Sequence, residues 1–122
     1  MKLRLRGSSL RLRLGQAEVA SLVDHGRIEE RVAFGPGAAL VYALASDDNA
    51  KDVHARLDGS RIEVIAPRSL IKSWAAGDEV GFEASQAIAG GDALRILVEK
   101  DFACLKTRAG EDDADAFPNP RA

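Results

Sequence analysis

The first fourteen residues constrain the fold more than any other stretch of the chain. Leu3 and Leu5 alternate with Lys2, Arg4 and Arg6, while Leu10, Leu12 and Leu14 alternate with Arg11 and Arg13. A period of two belongs to a strand, whose successive side chains point to opposite faces. All five leucines share one face only when paired residue numbers sum to an odd value. A sum of fifteen leaves Gly7-Ser8 as a two-residue turn, with glycine first as a type II′ turn prefers. Leu5 then faces Leu10, Leu3 faces Leu12, Arg4 faces Arg11 and Lys2 faces Arg13. One face of this hairpin is apolar, and the other is wholly cationic.

Farther along, Ala17, Val19, Ala20, Leu22 and Val23 recur at spacings of three and four within Gln16 to His25, and Gly26 follows. This is a short helix with a glycine stop. Arg27 to Phe34 reads as a strand ended by the turn-forming Gly35-Pro36-Gly37, and Ala39 to Ala45 as another. A second hairpin centres on Asp58-Gly59, a type I′ signal, and pairs Ala55 with Ile62, Val53 with Val64 and His54 with Glu63. Pro67 opens a second helix carrying Leu70, Ile71 and Trp74, with Gly77 as its stop. Val80, Phe82 and Ala84 alternate in a strand, and Leu94 to Val98 forms the last one after Gly90-Gly91. No internal repeat is evident.

Strands joined mostly by short turns favour antiparallel pairing. The expectation is therefore an α+β domain: a mainly antiparallel curled sheet or small barrel of about seven to eight strands, with two short helices and an irregular tail. The domain covers residues 1–108. Residues 109–122 form an acidic tail, loose or draped over the domain.

At 122 residues, with 46% apolar and 30% charged side chains, the chain has the composition of one globular domain. The net charge of −2 argues neither for nor against a nucleic-acid partner. The single cysteine rules out an internal disulfide, and the alternating N-terminus is unlike a signal peptide. No apolar stretch has the length to span a bilayer. These features together predict a cytoplasmic protein with no membrane contact.

Two stretches carry a family resemblance. They are Met1 to Leu14, and Val98-Glu99-Lys100-Asp101-Phe102-Ala103-Cys104-Leu105 with its Gly110-Glu111-Asp112 and Phe117-Pro118-Asn119-Pro120 tail. Together these resemble a family of small uncharacterised bacterial proteins known only as a domain of unknown function. Gly15 departs from the threonine-type helix cap expected there. The resemblance implies a bacterial cytoplasmic origin and a tail that belongs to the protein. It implies no activity, cofactor or catalytic residue.

The cationic face of Lys2, Arg4, Arg6, Arg11 and Arg13 is the most specific candidate site. Like charges opposite one another across strands are destabilising, so a negative partner would relieve them. A solvated face that guards an exposed sheet against aggregation accounts for the same residues. Three partners fit: nucleic acid or another polyanion, a small phosphorylated ligand, or the chain's own tail. Nucleic acid is disfavoured, because the face carries no aromatics for base stacking and no recognition motif is present. The tail supplies Glu111, Asp112, Asp113 and Asp115 against the five cations, with Phe117 beside two prolines as an anchor. A second subunit could present the same segment.

The remaining candidates lead to less. Cys104 lies in an apolar run and reads as an inert core thiol rather than a nucleophile. His54 opposite Glu63 reads as a surface pair. Two histidines far apart and an acidic run without calcium-loop spacing give no metal site, and no cofactor or catalytic motif is found. Asp78 and Glu79 are adjacent, so on a strand they point apart and make no carboxylate dyad. The chain is expected to be a non-enzymatic interaction module that forms a homo-oligomer or binds a protein partner. The alternative is a binder or enzyme for a small phosphorylated or carboxylated ligand. A deep pocket lined by the arginines would favour that alternative.

Overall fold

A computed structural model describes residues 1–102. The expected boundary at residue 108, the acidic tail, Cys104 and Phe117 lie outside the described residues. Within them run β1 (Lys2–Arg6), β2 (Ser9–Leu14), α1 (Gln16–His25), β3 (Arg27–Gly35) and β4 (Ala38–Asp47). They are followed by β5 (His54–Asp58), β6 (Arg61–Pro67), α2 (Arg68–Ala76), β7 (Gly81–Ala87) and β8 (Ala93–Lys100).

The first hairpin takes the register that its leucines dictate: Lys2 faces Arg13, Leu3 faces Leu12, Arg4 faces Arg11 and Leu5 faces Leu10. Gly7 turns the chain at φ 54°, where a side chain would be strained. Leu10, Leu12 and Leu14 are buried. The second hairpin departs from expectation. Asp58 pairs with Arg61, so Gly59-Ser60 is the turn, and Arg56 rather than His54 faces Glu63. The expected Asp58-Gly59 turn has Gly59 second. The chain instead places it first, at φ 59°, as it does Gly7.

The two helices begin and end where their breakers stand. Gly15 has no side chain to cap α1, and the Glu18 carboxylate accepts from the Gly15 N–H at 2.9 Å instead. Gly26, at φ 78°, closes α1 by donating to the Leu22 carbonyl at 2.8 Å. Pro67 precedes α2 and Gly77 follows it.

The strands form two four-stranded sheets, ordered β1-β2-β8-β7 (sheet A) and β3-β4-β6-β5 (sheet B). Each sheet is mixed. Its hairpins are antiparallel, but they meet along parallel central pairs, β2 with β8 and β4 with β6. Neither sheet closes into a barrel, so the expectation of one mainly antiparallel curled sheet or barrel is corrected. Short turns fix pairing within a hairpin and leave open how one hairpin lies against the next.

The chain also contains the repeat that its residues conceal. β1-β2-α1-β3-β4 and β5-β6-α2-β7-β8 are two copies of one ββαββ unit. Exchanging them carries the strand order of sheet A onto that of sheet B. The offset is 52 residues through the first hairpin and helix, as from Leu12 to Val64 and Leu22 to Trp74. It is 54 through the second hairpin, as from Leu44 to Val98. Each of these pairs is buried on both sides. The main-chain contacts repeat too. Val41 N–H donates to the Ser60 carbonyl at 3.0 Å and Arg95 N–H to that of Ser8 at 2.8 Å. The equivalent residues preserve apolar character and seldom identity, which hides the repeat from a reader of the sequence.

One apolar core joins Leu10, Leu12, Leu14, Val64, Ile96 and Val98 of the strands to Leu22 of α1 and Ile71 and Trp74 of α2. Trp74 fills most space. Its ring meets Phe82 edge-on at 5.4 Å, and its Nε1 donates to the Val80 carbonyl at 3.1 Å. Burying a side chain of this class contributes roughly 1.5–3 kcal/mol.

The sheets approach each other at two seams that side chains bridge. Between β7 and β5, the Gln86 amide accepts from the Ala55 N–H at 2.7 Å and donates to the Ala55 carbonyl at 2.9 Å. Near β1 and β3, the Met1 amino group is held by Glu18 and donates to Glu30 at 2.8 Å. The Tyr42 hydroxyl donates to the Met1 carbonyl at 2.8 Å.

Candidate interaction surface

The outward face of sheet A is built from three rows that cross all four strands. They are Lys2–Arg13–Glu99–Gly81, Arg4–Arg11–Leu97–Glu83 and Arg6–Ser9–Arg95–Ser85. All five cations expected from the sequence share this face. The parallel β2–β8 pairing adds Arg95, which is not among the cations expected from the sequence. The Arg95-Leu97-Glu99 alternation marks a two-sided strand, but nothing local places it beside Arg11. Six cations stand against two carboxylates on these rows, a formal charge of +4.

The carboxylates are stretched thin. One oxygen of Glu99 serves both Arg11 and Arg13, each at 3.4 Å. Arg95 meets Glu83 at 3.1 Å, with both side chains largely exposed. Asp101, just past β8, pairs with Lys2 at 2.9 Å. Solvent screening leaves such exposed pairs with little net strength.

Sheet B supplies an internal comparison, because its outward face is the equivalent surface. Its rows are Arg27–Ala45–Ile65–His54, Glu29–Ala43–Glu63–Arg56 and Arg31–Val41–Arg61–Asp58. Four arginines meet three carboxylates, a formal +1. Glu63 lies at the centre, 2.6 Å from Arg27 and 2.5 Å from Arg56. Hydrogen bonds from Arg27 first, and then from Arg56, hold its carboxyl below the usual range. Glu29 is lowered by Arg27 and then, more weakly, by Arg61. Beneath this network Ala43 and Ile65 are buried. On sheet B, Arg27, Arg56 and Arg61 thus meet carboxylates of their own face. Sheet A has Arg11 where sheet B has Glu63, and its rows hold fewer carboxylates.

The N-terminal amino group forms a third charged cluster. Burial alone would lower its pKa, but Glu18 and Glu30 outweigh burial and raise it. Burial likewise works to raise the Glu18 carboxyl, and the Met1 ammonium and Gly15 N–H hold it down. Tyr42 is pushed up by burial and by the nearby carboxylates of Glu30 and Glu18.

Two cavities open elsewhere on the described residues. One, of about 810 Å³, lies between the helices and is lined chiefly by Leu14, Val19, Val23, Ala75 and Phe102, with Lys72 and Lys100 among its polar members. The other, of about 590 Å³, runs from Asp52 and His54 to Leu70 and Gln86. Neither includes Lys2, Arg4, Arg6, Arg11 or Arg13 in its lining. The expected His54–Glu63 pair does not form, and His54 Nδ1 lies 3.2 Å from the Asp52 carbonyl. His25 ends α1. Among the described residues no group of three or more His, Cys, Asp or Glu side chains is placed to hold a metal ion. No helix there is long and apolar enough to cross a membrane.

Set against known families, residues 1–121 match a single family model from end to end. The chain belongs to DUF7009, a family of unknown function. No curated protein matches this DUF7009 chain. The family covers both ββαββ units and the acidic segment beyond them, so the basic face and that segment are parts of one DUF7009 unit.

Proposed function

We propose that this DUF7009 chain is a non-enzymatic interaction module whose basic sheet face receives an acidic polypeptide segment. The exchange of Glu63 for Arg11 between equivalent faces carries the reading. One half of the molecule supplies its own counter-charge, and the other half has an arginine in that place. Arginine rows without enough carboxylates cost stability unless an external negative charge lies over them. The chain's own Glu111, Asp112, Asp113 and Asp115, anchored by Phe117, is the first candidate, from the same subunit or a neighbour. Asp101 pairs with Lys2, so the chain leaves the sheet beside the basic face. The alternative, a small-anion binder or enzyme, has less support because the arginines line neither cavity described above.

The test is a thermal-shift and size-exclusion series on the whole chain, with poly-glutamate, sugar phosphates and short oligonucleotides, in wild type and Arg11→Glu. The reading expects poly-glutamate to act on the wild type at low salt, and that effect to vanish in Arg11→Glu and near ~0.5 M salt. A shift caused by a sugar phosphate alone would move the assignment to the small-ligand class. Complete indifference of midpoint and oligomeric state to salt, poly-glutamate and Arg11→Glu would remove the proposal.

A further inference from the structure

The end of the fold away from the helices carries a surface that neither the core nor the basic face accounts for. Each parallel central pair sets the two hairpin turns of its sheet at one end, while α1 and α2 leave from the other. At the seam between β5 and β7, Gln86 lies beside Ala55, and two residues nearer the turns come Ile88 and Leu57. At the seam between β1 and β3, Glu30 lies beside Met1, and four residues nearer the turns come Phe34 and Leu5. Leu5 is 58% and Phe34 73% exposed, Leu57 71% and Ile88 45%.

The offsets of 52 and 54 residues make these two pairs equivalent, Leu5 with Leu57 and Phe34 with Ile88. Other surface positions differ between the halves, as Arg11 does from Glu63 and Arg31 from Ser85. Single exposed apolar side chains are ordinary, but two large ones at the same places in both halves, at one end of the fold, form a patch that a partner would cover.

Charge says which partner fits. On sheet B, Arg27, Arg56 and Arg61 meet carboxylates of their own face. Arg31 and Asp58 stand at the two ends of one row, one beside each seam, without such a pair among the described residues. The seam with Leu5 and Phe34 is thus flanked by an arginine, and the seam with Leu57 and Ile88 by an aspartate. A second copy can be turned end to end on the first about a twofold axis that sets sheet B against sheet B. Leu5 and Phe34 then meet Leu57 and Ile88 of the partner subunit, and Arg31 meets the partner's Asp58, with every contact made twice. The other end-to-end axis would set arginine against arginine.

We infer that two copies of this chain pair through their turn ends as a closed dimer, each joining its β1–β3 seam to the β5–β7 seam of the other. Both complementary seams are used, so the assembly stops at two. This goes beyond the reading of the basic face and does not rest on it.

The experiment is sedimentation of the whole chain over a concentration series, for wild type, Arg31→Glu, Asp58→Arg, Phe34→Asp and Arg11→Glu. Arg31, Phe34 and Asp58 are exposed, so circular dichroism of their variants should match wild type. Wild type is expected to pass from monomer to dimer as concentration rises, and Phe34→Asp to remain monomeric. Arg31→Glu and Asp58→Arg should each weaken the dimer at least about tenfold, since each sets like charges together at two places. An equimolar mixture of the two should restore it, because every Glu then meets an Arg. Arg11→Glu should dimerise as wild type does, which separates this result from that of the basic face. A monomer at every concentration would overturn the inference, as would a dimer indifferent to the three seam variants. A mixture no stronger than its components would overturn the seam pairing, and growth beyond two copies the closed arrangement.

Discussion

Arg11 and Glu63 occupy the same position in two copies of one ββαββ unit, each at the centre of its sheet's outward face. Glu63 gathers Arg27 and Arg56, whereas Arg11 faces Arg4 and shares Glu99 with Arg13. A single substitution in either half therefore tests what the other does. Arg11→Glu replaces the like-charge cross-strand pair with Arg4 by an opposite one but gives up the contact with Glu99, so it is expected to change the stability of the chain by less than about 1 kcal/mol while abolishing the response to poly-glutamate. Glu63→Arg is expected to destabilise it by about 1–2 kcal/mol. Urea unfolding at low salt measures both, and a smaller gap at 1 M salt confirms the electrostatic origin.

The pH dependence has two limbs. Glu63 and Glu18 titrate below their ordinary value of 4.5 in the folded chain. Their contribution is therefore present above that value and is lost as pH falls through the lowered folded pKa. The Met1 amino group titrates above 8.0. Its contribution is full below 8.0 and is lost as pH rises through the raised folded pKa. A melting-temperature profile should be flat between these ranges and fall on both sides. Glu63→Gln should flatten the acid limb, whereas N-terminal acetylation should remove the alkaline one.

Trp74 combines packing with a hydrogen bond, and two variants separate them. Trp74→Ala is expected to cost about 3–5 kcal/mol through the cavity it leaves. Trp74→Phe keeps a ring against Phe82 and loses the bond to the Val80 carbonyl. It also leaves a smaller cavity, and its cost should be about 1–2 kcal/mol. Equal costs would mean that the ring contributes little beyond its polar handle.

Gln86 replaces a strand at the seam between β7 and β5. Gln86→Leu leaves the Ala55 N–H and carbonyl without those partners, at an expected cost of about 1–3 kcal/mol. Amide exchange at Ala55 should accelerate well beyond the change in global stability. Exchange that merely follows global stability would show that the seam opens only on complete unfolding.

The parts of this molecule legible in the sequence are those governed by nearest neighbours. The hairpin of Leu3 and Leu12, the glycine stops at Gly26 and Gly77, and the basic face all follow from residues within a few positions of one another. The second hairpin slipped by one turn position because Asp58-Gly59 and Gly59-Ser60 are both plausible turns, and Val53, Ala55 and Leu57 alternate equally well in either register. The parallel pairs were beyond reach, since no local pattern tells β2 to seek β8, whose paired residues lie 86 positions on (Ser9 with Arg95). Arg95 joined the site by that route alone. The repeat was hidden because burial conserves volume and polarity, so Leu22 and Trp74 fill equivalent places without looking alike.

The strand order also separates the two sheets in time. Sheet B draws on β3 to β6, an unbroken run that ends at Pro67, whereas sheet A joins β1 and β2 to β7 and β8. On a ribosome, sheet B has all its strands while β7 and β8 are still unmade, and the first hairpin waits for the rest of its sheet. The two sheets are thus completed one after the other. The basic surface is assembled last, when Arg95 and Glu99 arrive beside a hairpin synthesised long before.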